Sequence, residues 1–139
     1  MSISDTQKFF KHLDDFKNKI VNLLCELNKA EEIRRINKHY EKLLYFKNLN
    51  SRVVIEKFYE HCVRVYYNKI INKDESYFFG KISNINENEH VGQGDINLLY
   101  YIKDIWTDLP NDVKENIWKY IQLLSILSDK IVDGKLFLK

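Results

Sequence analysis

Between Asp108 and Asp129 the chain carries a helix whose apolar face is too broad to be left in water, and that constrains the rest of the fold. Pro110 suits a first helical turn, and Asp112 and Glu115 put negative charge near the positive end of the helix dipole. Val113, Ile117, Tyr120, Ile121, Leu124, Leu127 and Ile131 then recur at three- and four-residue steps, the spacing of one helix face. Trp118, Leu123 and Ile126 widen the stripe beyond a single seam, which predicts neighbours on two or more sides. This segment is expected to be the central helix.

The chain upstream must supply those neighbours. With 45% hydrophobic and 14% aromatic residues it is not generally disordered, and four Gly and one Pro leave little material for tight turns. Ser4 to Gln7 has the form of a capping box, and Phe9, Leu13, Phe16, Ile20, Leu23, Leu24 and Leu27 follow at helical spacing over 5–28. Asn28 suits a left-handed turn, yet Ile33, Ile36, Tyr40, Leu43 and Leu44 resume almost in phase. A hairpin, or one rod forming an N-terminal arm over 5–47 that favours oligomers, both remain open.

Asn48 to Ser51 is cap-like and opens a helical core over 51–131, beginning with Val54, Phe58, Cys62, Val65 and Tyr66 in a helix to about 71. Asp74 and Glu75 start a short helix with Tyr77, Phe78 and Phe79, stopped by Gly80. Residues 83–94 form a polar, glycine-containing loop that is either mobile or used. Asp95 caps a helix with Leu98, Leu99, Ile102, Ile105 and Trp106 inward, and residues 107–110 turn it into the central helix as an antiparallel hairpin. Gly134 ends the last helix and leaves residues 135–139 as an apolar tail that must dock or bind. The expected fold is all-α, a single domain over 1–139 built as a bundle of five or six helices with a C-terminal helical hairpin. At 139 residues such a domain buries roughly two thirds of its unfolded surface.

The net charge of +2 is too small to demand a polyanionic partner. Residues 1–69 hold 14 basic and 9 acidic side chains, hence +5, while residues 70–139 hold 8 and 11, hence −3. Solvated faces account for that polarity. Ala30 is the only alanine, and since alanine is the best helix former its scarcity reflects an AT-rich genome rather than a physical need. The N-terminus lacks a secretory signal pattern, and no apolar run approaches the length of a membrane span.

Reactive groups are sparse. Cys25 and Cys62 lie on apolar stripes without Cys-x-x-Cys spacing, so both are expected as reduced core thiols rather than nucleophiles or ligands. The histidines at 12, 39, 61 and 90 have no ligand spacing, since adjacent His61 and Cys62 diverge by about 100° on a helix. Asp14 with Asp15 and Glu31 with Glu32 stand on outward faces, and helix capping accounts for Asp74 and Glu75. Gly92 and Gly94 do not make a phosphate loop. No catalytic residue, metal or cofactor is expected. Arg34, Arg35, Lys38 and Lys42 form the best basic cluster, though Glu31 and Glu41 interrupt it. Tyr45, Phe46, Tyr59, Tyr66, Tyr67, Tyr77, Tyr100 and Trp118 are too many for one small core, and surface Tyr and Trp often anchor protein contacts.

Through residues 72–79 and 117–128 the chain resembles short helical orphan proteins of large nucleocytoplasmic DNA viruses, over a span of mainly 58–79 and 95–131. The resemblance implies a protein made in the host cytoplasm or carried in the virion, with no catalytic residue to transfer. The expectation is a non-enzymatic protein-interaction protein, either a virion or assembly component or a regulator of host proteins. It would self-associate or bind a partner through the 83–94 loop, the tail and exposed aromatics. The alternative is a nucleic-acid-associated accessory factor using Arg34, Arg35, Lys38 and Lys42.

Overall fold

The computed structural model describes residues 4–75 and 105–137. The first helix, α1 (Asp5–Glu26), opens on the expected capping box. The Ser4 hydroxyl accepts from the Gln7 amide at 3.1 Å while the Gln7 side chain accepts from the Ser4 amide at 3.0 Å. Its buried face is Phe9, Phe10, Leu13, Phe16, Ile20 and Leu24. Asn28 then turns left-handed at φ 60°, the Lys29 amide reaching back to the Leu24 carbonyl and the Asn28 amide to that of Cys25. That pair of bonds closes the helix. The chain therefore reverses into α2 (Ala30–Phe58), so residues 5–47 form a hairpin rather than a rod.

The cap-like Asn48 to Ser51 stretch does start a new helical segment, and the two segments of Ala30–Phe58 meet there at a kink. Asn50 is extended (φ −163°, ψ 94°), and its side-chain oxygen accepts from the Val53 amide at 3.3 Å, restarting the helix from within. After Phe58 comes one π-helical turn, Tyr59–Val63, closed by the Arg64 amide on the Tyr59 carbonyl at 2.9 Å. The extra residue rotates the downstream chain by about 100°. The single stripe expected to run to about 71 is therefore broken: Val65 is exposed, and the short α3 (Tyr67–Ile71) buries Ile70.

A 3-10 turn, Trp106–Asp108, leads into α4 (Asn111–Val132), with Pro110 just before the helix rather than inside its first turn. α4 packs against α1, α2, the π turn and α3, the central position expected of it. Trp118 lies buried edge-to-face on Trp106 at 6.0 Å between ring centres. Ser125 and Ser128 are also fully buried, their hydroxyls donating to the Ile121 and Ser125 carbonyls of the same helix. In a chain with one alanine, serine supplies the small side chains of the helix contact.

The described residues thus hold four α-helices and no strand, fewer than the five or six expected. The count falls because the two segments on either side of Asn50 run on as one element, Ala30–Phe58, while the helices expected at 74–79 and 95–106 lie largely outside the described residues. The C-terminal hairpin, the 83–94 loop, Tyr77 and Tyr100 lie outside them as well. No described helix is long and apolar enough to cross a membrane.

Candidate interaction surface

α2 buries Ile36, Tyr40 and Leu43, then Val54, Ile55 and Phe58 beyond the kink. Its opposite face carries Arg34, Lys38, Tyr45 and Leu49, at steps of four and seven residues that keep them in one line. That line changes character along the helix, from cationic to apolar. Leu49 is 66% exposed, Tyr45 62% and Val53, past the kink, 39%. A hollow of about 540 Å³ marks the junction, lined by Lys38, Glu41, Lys42, Tyr45 and Phe46. The Tyr45 and Phe46 rings meet edge-on at 5.6 Å.

The four basic residues singled out in the sequence do fall together here, with unequal electrostatic weight. Glu31 takes Arg34 at 2.5 Å and Arg35 at 3.5 Å, and the Arg34 hydrogen bond holds its carboxyl below the usual range. Lys38 and Lys42 form no ion pair with any described residue. Burial, then Lys42, Lys38 and Arg35, push the neighbouring His39 below its ordinary pKa. Glu31 thus offsets one of the two arginine charges, while Glu41 lines the hollow beside Lys38 and Lys42 without an ion pair to either, so the face stays net positive along its length.

A second hollow of about 510 Å³ opens between α1 and α2, over Phe10, Asp14, Tyr40 and Lys47. Several of its groups are engaged locally. The Tyr40 hydroxyl donates to Asp14 at 3.2 Å, and the Lys17 and Lys47 ammonium groups sit over the Tyr40 and Phe10 rings at 5.2 and 4.8 Å. Burial foremost, with the Asp14 charge behind it, pushes the Tyr40 phenol well up.

The one polar cluster inside the described core escaped the sequence reading. Asp129, 5% exposed, accepts from the Tyr59 hydroxyl at 2.9 Å and from the tail amides of Leu136 at 2.9 Å and Phe137 at 3.2 Å. The tail thus docks on its own chain, and the Phe137 ring meets Tyr67 at 5.1 Å. The left-handed residue that ends α4 is Asp133 (φ 59°) rather than Gly134. Gly134 serves a different need: a Cβ there would collide with the Tyr59 hydroxyl and stand 2.6 Å from Asp129 Oδ1. A signal did exist, because an acid in the last turn of a helix opposes the dipole and requires donors from elsewhere.

The remaining candidates separate. Cys62 is buried as expected, but Cys25 is exposed, one position past Leu24 where the inward stripe of α1 ends. Tyr59 and Trp118 are buried, Phe46, Tyr66 and Tyr67 half-buried, and only Tyr45 of the described group stands out in solvent. Among the described residues no three His, Cys, Asp or Glu side chains are grouped to hold a metal ion. The chain matches no family model, no curated protein and no solved structure.

Proposed function

We propose that the protein works by binding other proteins through the outer face of α2, without chemistry of its own. The observation that carries this is the pair of large exposed groups Tyr45 and Leu49, one helical turn apart on the outer face of α2. Tyrosine supplies wide contact area at low entropic cost, and the hollow beside it offers a recess for a partner side chain. The resemblance to viral helical proteins extends the proposal to a virion or assembly component, or a regulator of host proteins, acting in the host cytoplasm. Its test is proximity crosslinking in host cells with the wild-type chain and a Tyr45→Ser/Leu49→Ser variant. Loss of specific crosslinked proteins in the variant supports the proposal, and an unchanged set removes it.

A second function, nucleic-acid association, draws on Lys38 and Lys42 standing beside an exposed tyrosine able to stack on a base. Glu31 and Glu41 on the same face weigh against it. A salt-dependent shift of labelled DNA or RNA, abolished when Arg34, Arg35, Lys38 and Lys42 become Ala, would favour it over the first; absence of a shift at low salt removes it.

A further inference from the structure

The geometry points to a partner of specific chemistry for this face: an acidic amphipathic helix, laid along α2 before its kink with its carboxylates on Lys38 and Lys42 and its apolar side chains on Tyr45 and Leu49. The inference rests on the protein-binding function proposed above and names its occupant. Three features of the surface converge on it. The first is order along the helix, a cationic segment from Arg34 to Lys42 followed by exposed Tyr45 and Leu49 before the kink. Arg34 to Leu49 spans about 22 Å at 1.5 Å per residue, the reach of a four-turn helix. The second is the hollow at the junction of the two segments, where an apolar side chain can enter beside Tyr45 and Phe46 with Lys38 and Lys42 at its edge. The third is charge. Lys38 and Lys42 are exposed and form no ion pair with any described residue, so a partner's acids would meet groups not already neutralised.

The same features disfavour the other macromolecules that seek positive charge. A nucleic acid would leave Leu49 in water and bring phosphates against Glu41. An anionic membrane would meet that same carboxylate, beside two arginines of whose charges Glu31 offsets one. A helix can rotate its acids away from Glu41 while keeping its apolar ridge, three or four residues apart, on the stripe.

The test uses the full chain and two fluorescent 20-residue peptides of alternating leucine ridge and charged face, one with Glu and one with Lys at every charged position. The Glu peptide is expected to bind about tenfold tighter than the Lys peptide at low salt, with the gap narrowing as salt rises. Lys38→Glu/Lys42→Glu should erase the preference, and Leu49→Ser should weaken the Glu peptide about tenfold while the exposed site leaves the fold, checked by circular dichroism, intact. Equal binding of both peptides, or no binding of either, overturns the inference. So does a light-scattering dimer that Leu49→Ser dissolves, which would make the occupant a second copy. Binding of a labelled oligonucleotide or of phosphatidylserine vesicles in place of the Glu peptide overturns it likewise. The crosslinking comparison of wild type with Tyr45→Ser/Leu49→Ser separates the two levels. If crosslinks are lost in that variant but the Glu peptide fails, only the acidic-helix partner falls; if crosslinks are unchanged, the α2 contact itself falls.

Discussion

Replacing Asp129 by Asn changes one atom's hydrogen-bonding sense at the point where the tail meets the core. In the native arrangement Oδ1 accepts from Tyr59 and Leu136, and Oδ2 accepts from Phe137. Asparagine can keep the first two through its carbonyl, but it turns an amide donor toward the Phe137 amide, where no bond can form. One charge-assisted bond is lost and two become neutral bonds, roughly half as strong. The smaller cost of burying an amide instead of a carboxylate offsets part of this, leaving a net loss of about 2 kcal/mol. For 139 residues, unfolding entropy of ~2.1 cal/mol/K per residue makes that a fall in Tm of about 7 °C. Thermal unfolding followed by circular dichroism reads the first number. Hydrogen exchange at Leu136 and Phe137 should accelerate in parallel, because the tail amides lose their acceptor. A double-mutant cycle with Tyr59→Phe should show coupling on the order of 1 kcal/mol. An Asn variant within about 0.5 kcal/mol of wild type, its tail amides still protected, would refute the idea that this carboxylate holds the tail.

Other perturbations probe the same packing and the α2 face. Gly134→Ala should cost about 2 kcal/mol by overpacking, and less in a Tyr59→Phe background, where the hydroxyl it would strike is gone; chemical denaturation of the three variants decides it. Burial, helped by the Asp129 bond, pushes Tyr59 up to about 12 from 10.0, so the fold favours its neutral form. Its stabilisation is complete below pH 10 and lost between about pH 10 and 12, and Tyr59→Phe should flatten part of that alkaline loss while Tyr40, shifted the same way, supplies more. His39 is held below 6.5, so its neutral form stabilises the fold above that pH and the benefit is lost as pH falls through the folded value. In Lys38→Ala/Lys42→Ala, NMR titration should find His39 raised yet still below 6.5, because burial is the larger cause; an unmoved value would mean that the two lysines set no field there.

Much of the fold was written in local pattern. The Ser4 capping box, five of the six inward residues of α1 and most of the α4 face needed only spacing and caps, which act within a few residues, whereas Phe10 was missed and Leu27 and Ile126, counted inward, are exposed. The partial cancellation of the basic cluster was equally legible, since Glu31 stands three and four residues from Arg34 and Arg35. The choice between rod and hairpin was not, because α2 resumes the stripe nearly in phase and one left-handed residue, Asn28, makes the difference. The π turn was also hidden, since its inserted residue leaves no mark on composition and shows only in which side chains end up inside. Of the candidate surface, the sequence held the lysines and the tyrosine and left Leu49 and Val53 off both inward stripes, but Leu44, counted inward, is exposed.

The sequence alone determined that the described residues are helical and where α1 begins and α2 restarts, because backbone capping and side-chain period depend on neighbours along the chain. Tertiary structure alone decided that Tyr59 meets Asp129 across 70 positions, that the tail closes on them, and that one ridge of α2 is left facing water. Those outcomes depend on which faces of separate helices meet, a geometry that spacing within any one helix cannot encode.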